Sequence, residues 1–590
     1  MAAVGQAGGP ALGVFLGALH DRTRGLSREE LLAVLVGHAE RLPAPDRQAF
    51  LDIFPDPADA PAGSAGTSRA DLLAGIDAFA ARVAAGEYAE DEGCRWDGYG
   101  WVDEEAAVWV PDADALFAGV GEVFLAGDLE AARAAYERLL APFGLGGDDD
   151  WSLELWQLES TDVPEMLARY LRCVYETTAA GGRAAAVHRA WLDLPSHPTL
   201  TLADLSGTRR EPMPDLDAFL PGWIEHLLTQ TDTRPVRDRV RLLAEAATLA
   251  GGVDALTGLA ARPGPHQGGI GLARISALTA AGRQEEARAA ARETLDLPGA
   301  DAAHRAEAAD RLADLEATLG DPDAAVAARR RAWTSQPTRE RLLAMAAASL
   351  DAGVLPQTLA AEADDLTATA NAAPAGSGPD RLGCALLVLA GRLHEATAAL
   401  TGSDPLGWHH AGHPGPVVLP VLWAAALGEA PAPEAGHLGA LFADIDHDPA
   451  ALPRLEDWPP TGGPTARAKP AGPTGPAGPA LTGLLADAIR ALTVDADRRE
   501  AWLAAAAAVT HARVSAIVSG KHRGAYARAA SLAHAHAETL AGLDRVAEAH
   551  AYLAAVRARF PRHVAFRREL DDAATTSTLR TLRTRRTRRA

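Results

Sequence analysis

The stretch Val120-Gly-Glu-Val-Phe-Leu-Ala-Gly-Asp-Leu-Glu-Ala-Ala-Arg-Ala-Ala-Tyr-Glu-Arg-Leu-Leu140 reads as two amphipathic helices joined at a corner, and Gly127 is the corner. On its N-terminal side Leu116, Val120, Val123 and Phe124 recur at helical spacing; on its C-terminal side Leu129, Ala132, Tyr136 and Leu139 do the same. One such hairpin cannot cover its own apolar faces. It needs neighbours stacked against it, and a chain that supplies them in succession becomes a solenoid.

The hairpin has a compact signature: a turn Gly, a small residue five positions on, a packing residue nine on, and often a Pro closing the second helix. It recurs at Gly282 with Ala287, Ala291 and Pro298, at Gly320 with Ala325, Arg329 and Pro337, and at Gly391 with Ala396, Leu400 and Pro405. A looser copy lies at Gly542, Ala547, Ala551 and Pro561. An Ala at the fifth position lets the second helix approach the first closely. Gly282 and Gly320 are 38 residues apart, near the roughly 34 residues of a tetratricopeptide unit. On these residues the chain resembles the tetratricopeptide family, although the Trp, Leu-Gly and Tyr positions of that family's first helix are mostly absent. The resemblance implies a right-handed superhelix that holds a peptide or partner protein in its groove. The predicted fold is all-α, an α-α superhelix (TPR-like solenoid) with a helical N-terminal cap and a C-terminal helical unit.

Composition agrees with helices. Of the 590 residues 48% are apolar but only 5% aromatic, and much of the apolar share is Ala, the best helix former and a poor core filler. Period-two runs of β-branched residues are nearly absent. The formal charge of -22 disfavours nucleic acid and anionic lipid as partners for the body of the chain. Basic charge is almost entirely Arg, with Lys only at Lys469 and Lys521. Cys94, Cys173 and Cys384 form neither a disulfide framework nor a metal clip, which fits a reducing cytoplasm. The first residues lack a basic region and a cleavage site, so no signal peptide is expected. The apolar runs Val417 to Leu427 and Ala501 to Val509 are shorter than the roughly 20 residues of a spanning helix, so no membrane partner is expected.

In chain order, residues 1–86 read as a helical cap, with Ser27-Arg-Glu-Glu30 a capping box, a Pro/Gly-rich break from Pro55 to Thr67, and Ser68 opening the next helix. Residues 87–111 interleave Trp96, Tyr99, Trp101 and Trp109 with carboxylates. Two readings stand: an exposed loop that engages a basic or extended partner, or aromatics folded back to plug the first hairpin while the acids stay wet. Residues 112–457 carry the repeat array. Within it, Asp148-Asp-Asp150 is read as a solvated helix start rather than a cation site, and Val163 to Thr177 as a core helix. Residues 458–480 are a Pro/Gly-rich linker, 481–575 a C-terminal helical-hairpin unit, and 576–590 a basic tail. The passage from Lys521-His-Arg-Gly-Ala-Tyr526 to Arg567-Arg-Glu-Leu570 resembles the end of bacterial helical-repeat proteins associated with SWIM-type zinc fingers. The ligands of such a finger are absent, so only the helical scaffold carries over.

Chemistry-bearing motifs are few. His409, His410 and His413 lie close together and imidazoles bind zinc, but no carboxylate or Cys ligand or acid/base Glu sits in the window, so a metal-dependent hydrolase ranks last. No phosphate-binding loop, nucleophile elbow or zincin pair is present, and no catalytic residue, cofactor or metal is assigned. Arg580, Arg583, Arg585, Arg586, Arg588 and Arg589 make the tail the one segment suited to nucleic acid. The leading expectation is a non-catalytic scaffold or adaptor gripping a protein or peptide partner. A nucleic-acid-associated protein led by its Arg tail is the alternative.

Overall fold

The computed structural model describes residues 22, 35, 69–88, 94–96, 101–103, 108–144, 153–195, 199–230, 236–372, 378–408, 410, 412–446 and 480–579. The Ser27 capping box, the break at Pro55 to Thr67, the acidic turn at Asp148 and the Pro/Gly-rich linker lie outside them. The described chain is all-helical apart from one ribbon of two three-residue strands, and it divides into two compact units, the first running in the chain to Arg262 and the second from Pro263.

The first unit contains α1 (Arg69–Ala84), β1 (Cys94–Trp96), β2 (Trp101–Asp103), α2 (Val110–Leu125), α3 (Leu129–Leu140), α4 (Val163–Thr177), α5 (Ala180–Leu192), α6 (Leu202–Gly207), α7 (Leu216–Thr229) and α8 (Val236–Ala260). Packing is largely between helices close in sequence: α1 touches α2 and α3, α2 touches α3 and α4, and α4 touches α5 and α6. The buried face of α2 is Ala113, Phe117, Val120 and Phe124, and that of α3 is Ala132, Tyr136 and Leu139. Leu116 and Val123 sit half-buried at the edge. Asp128 caps α3 by accepting from the Ala131 N–H at 3.2 Å, and Asp162 caps α4 by accepting from Glu165 at 3.0 Å. The core face predicted for Leu167, Tyr170, Leu171 and Val174 is present. Arg172 beside them is fully buried, and its guanidinium donates to the carbonyls of Leu205 at 3.2 Å and Glu211 at 2.8 Å, fastening the irregular chain after α6 onto α4.

The second unit holds α9 (Gln267–Ala280), α10 (Gln284–Leu295), α11 (Ala302–Thr318), α12 (Pro322–Ser335), α13 (Arg339–Asp351), α14 (Leu355–Ala372), α15 (Arg381–Leu389), α16 (Leu393–Thr401), α17 (Gly415–Leu427) and α18 (Gly436–Ala443). After the Pro/Gly-rich stretch come α19 (Leu481–Ala491), α20 (Ala496–Ser519), α21 (Tyr526–Gly542), α22 (Val546–Arg559) and α23 (Val564–Thr576). From α9 to α16 each helix packs on the next. A Cβ at Gly271 would fall 2.4 Å from Thr294 Oγ1, so only Gly permits the observed approach of α9 to α10. Helix α17 is apolar all round and buried from Val417 to Ala426, because α15, α16, α18, α19, α20 and α21 all pack against it. Leu481, Leu485, Ala506 and Leu532 share its core, so helices from both sides of the Pro/Gly-rich stretch bury one apolar cluster.

The glycine corners are real turns. Gly127, Gly282, Gly320 and Gly391 have φ of +88, +72, +83 and +75°. At Gly282 the N–H bonds Thr279 O and the Arg283 N–H bonds Leu278 O, the paired pattern that satisfies the last carbonyls of a helix; Gly320 and Gly391 repeat it. Ala132, Ala287, Ala325 and Ala396 are all buried at the fifth position. The looser copy at the C-terminal end needs correction: Gly542 still belongs to α21 and the left-handed residue is Asp544, φ +61°. The register therefore moves by two, burying Ala549 and leaving Ala547 and Ala551 exposed. A further corner escaped the signature at Gly353, φ +72°, because Thr358 and Glu362 replace the small and packing residues. With it and Gly428, the corners from Gly282 step through Gly320, Gly353 and Gly391 by 38, 33, 38 and 37 residues.

Among the described residues two helices, Arg239–Ala260 within α8 and Ala496–Ser519, are long and apolar enough to cross a membrane. The apolar run at Ala501 to Val509 is thus part of a longer helix than the run itself predicts. The first is broken at Gly251 and Gly252, where the backbone leaves helical geometry. The second buries Leu503, Ala506, Val514 and Ile517 in the unit's cores and carries Arg513, whose guanidinium lies 3.9 Å over the Trp408 ring.

Candidate functional site

The predicted site residues go to different places. Trp109 is fully buried, edge-on to Phe143 with centroids 5.6 Å apart, in a ring cluster with Phe79 and Phe117. Its carbonyl accepts the Ala113 N–H at 3.0 Å as α2 begins. It is a core residue, which removes it from the partner-binding set. Trp96 and Trp101 are opposite one another in the β1–β2 ribbon, and Tyr99 in the connection lies outside the described residues. Arg580, Arg583, Arg585, Arg586, Arg588 and Arg589 lie outside them too; Leu579 just before them is buried against Ala537, Leu540 and Ala549.

Of the histidine trio, His409 lies outside the described residues and His410 is exposed. His413 uses both ring nitrogens within the protein: Nδ1 accepts from the Gly415 N–H at 2.9 Å and Nε2 sits 2.8 Å from Asp404 O. Burial holds its pKa below the usual histidine value. Its bonding is that of a loop brace rather than a metal ligand. Among the described residues there is no group of three or more His, Cys, Asp or Glu that could hold a metal ion.

Three further perturbed groups are core groups. Burial pushes the thiols of Cys173 and Cys384 up to about 12, which keeps them protonated and unreactive at neutral pH. Burial likewise raises Glu245 to about 7, while its Oε1 accepts from the Ala203 N–H at 3.1 Å at the start of α6.

The surface aromatic that the sequence reading passed over is Trp156. It is 73% exposed on a short 3-10 turn, Leu155–Gln157, between α3 and α4. Leu153, Leu155 and Leu158 are buried beneath it, and that spacing is the sequence signal that Trp156 points outward. The following chain is fastened to α2 by buried Asp114, which accepts from the N–H groups of Glu159 at 3.2 Å and Ser160 at 2.9 Å and from Thr161 Oγ1 at 2.6 Å. Glu154, Glu159 and Asp162 are exposed around it. A bulky ring presented to solvent on a braced, acid-flanked turn is the composition of an interface anchor.

The described residues of the same unit also form concave surfaces. A shallow trough of about 490 Å³ lies between Ala180, Gly181 and Ala184 of α5 and Ala218, Gly222 and His226 of α7. A smaller cavity of about 270 Å³ is walled by Glu137, Leu140, Tyr170, Asp193 and Leu194. Comparison of the chain with protein-family models gives no match, and comparison with curated proteins gives none.

Proposed function

We propose that this protein is a non-catalytic scaffold or adaptor of the helical-repeat kind, a TPR-like α-α superhelix that holds a protein or peptide partner in a reducing cytoplasm. The near-constant step between glycine corners in the second unit supports the repeat reading. The single observation that carries the partner reading is Trp156, exposed on a turn whose following residues, Glu159 to Thr161, are fastened by Asp114. A free side chain of that size costs solvation without a partner, and bracing lowers the entropy lost when one binds. The buried free thiols of Cys173 and Cys384 fit a reducing compartment.

The test is a photo-crosslinking residue at position 156 in the native host, with the same residue at exposed Leu249 as control. The reading expects one predominant crosslinked protein at 156, absent at 249 and lost from pull-downs by Trp156→Ala with the helical signal unchanged. Crosslinks no different from the control would discard it.

A further inference from the structure

The cavity of Glu137, Tyr170 and Asp193 has the chemistry of a cation receptor. Tyr170 is only 9% exposed, and its hydroxyl has no hydrogen bond among the described residues although it lines the cavity. Its phenol is pushed up to about 12 by burial first and by the Glu137 carboxylate, the Arg133 guanidinium opposing, with Asp193 adding to the rise, so both carboxylates act on the ring and together outweigh the one resident cation. Asp193 is exposed at the C-terminal end of α5 and makes no ion pair among the described residues. Glu137 is held by Arg133 through one oxygen, Oε1 at 2.9 Å. Leu140 and Leu194 supply apolar walls, and the volume of about 270 Å³ suits one long side chain. An aromatic wall, two carboxylates and an apolar neck together select a flat, delocalised cation over a compact hydrated one.

We propose that this cavity receives the guanidinium of an arginine side chain carried on an extended segment of a partner protein, with the aliphatic stem against Leu140 and Leu194. The inference rests on the scaffold reading and names the partner's chemistry. Arg suits it better than Lys because its plane can lie along the Tyr170 ring while its edge donates to Asp193.

The test uses the full chain and a fluorescein-labelled peptide of four Gly-Ser-Arg repeats, with Gly-Ser-Lys and Gly-Ser-citrulline versions, followed by fluorescence anisotropy at low salt. The expected result is saturable binding of the Arg peptide, weaker binding of the Lys peptide, and none of the neutral one. Asp193→Asn with Glu137→Gln should weaken Arg-peptide binding by roughly fivefold or more. Glu122→Gln with Glu130→Gln, which removes the same charge from exposed sites elsewhere on the hairpin, should leave it nearly unchanged. Tyr170→Phe keeps the ring and should keep binding; Tyr170→Leu should lose it with the helical signal retained. Absence of saturable binding, equal Lys and Arg affinities, or equal losses in the two charge-removing pairs would overturn the proposal. Crosslinking at Trp156 is read independently, so the cavity can fail while the scaffold reading stands.

Discussion

The indole N–H of Trp423 donates to Nδ1 of His536 across 3.2 Å, and both side chains are buried where α17 meets α21. That bond requires the imidazole to be neutral with its proton on Nε2. Burial, assisted by the charge of Arg545, lowers the His536 pKa to about 4, and the Tyr552 ring covers it at 4.6 Å between centroids. In the unfolded chain the same group titrates near 6.5. Between those values the unfolded state binds more protons, so stability is complete above about pH 6.5 and is lost as pH falls toward 4, by up to about 3 kcal/mol. Urea midpoints measured across this window should fall with acidification in the native chain and fall less in His536→Gln. His413 and His534, also lowered by burial, leave a residual slope of the same sign. An identical slope in native and variant chains would show that His536 is not the titrating group.

The corrected register of the last hairpin separates two alanines that the signature alone confuses. Ala549 is fully buried against α21 and Ala547 is exposed. Ala549→Leu should overpack the helix interface and cost about 1–3 kcal/mol, whereas Ala547→Leu should stay within about 0.5 kcal/mol. Denaturant unfolding of the two variants decides between the registers, and the reverse ranking would restore the corner to Gly542.

Where corner and small residue were both present, at Gly127, Gly282, Gly320 and Gly391, the chain showed its helices and turns in plain sequence. The corner at Gly353 was hidden because its fifth and ninth residues, Thr358 and Glu362, are polar. Glu362 is nonetheless buried, since Arg330 pairs with it at 2.5 Å. Tertiary pairing makes a carboxylate serve as a packing residue, and no local pattern announces that. The surface was harder to read than the fold. Trp109 and Trp156 are both Trp near acids, yet one is buried under Phe143 and the other stands out between buried Leu155 and Leu158, just ahead of the chain that Asp114, 42 residues earlier, fastens at Glu159 to Thr161. The Glu137, Tyr170 and Asp193 cavity draws on three separate segments and has no sequence signal at all.

Corner residues should respond to substitution according to their φ. Gly282 is at +72° with open space around its Cα, so Gly282→Ala meets no clash, and its cost of about 1–2 kcal/mol comes from the backbone alone. Asp544 occupies the same region with a side chain already present. Asp544→Gly should therefore relieve strain and raise stability by up to about 1 kcal/mol. Thermal unfolding that moves both variants in the same direction would refute the shared turn geometry.

Glu316 tests how the array tolerates buried charge. Its side chain is 1% exposed on α11, with Arg292 of α10 at 2.5 Å and Arg288 at 3.5 Å, whereas those two arginines are 52% and 28% exposed. The partners are thus unequal in what they leave behind. Glu316→Gln frees two guanidiniums that can turn to water, and it should cost about 1 kcal/mol, the order of one hydrogen bond. Arg288→Met with Arg292→Met strands a carboxylate in the interface between α10 and α11 without a counter-charge, and should cost about 3–5 kcal/mol. Equal costs for the two changes, measured by denaturant unfolding, would mean that the Glu316 carboxylate is hydrated and that the Arg–Glu pair contributes little to holding α10 on α11.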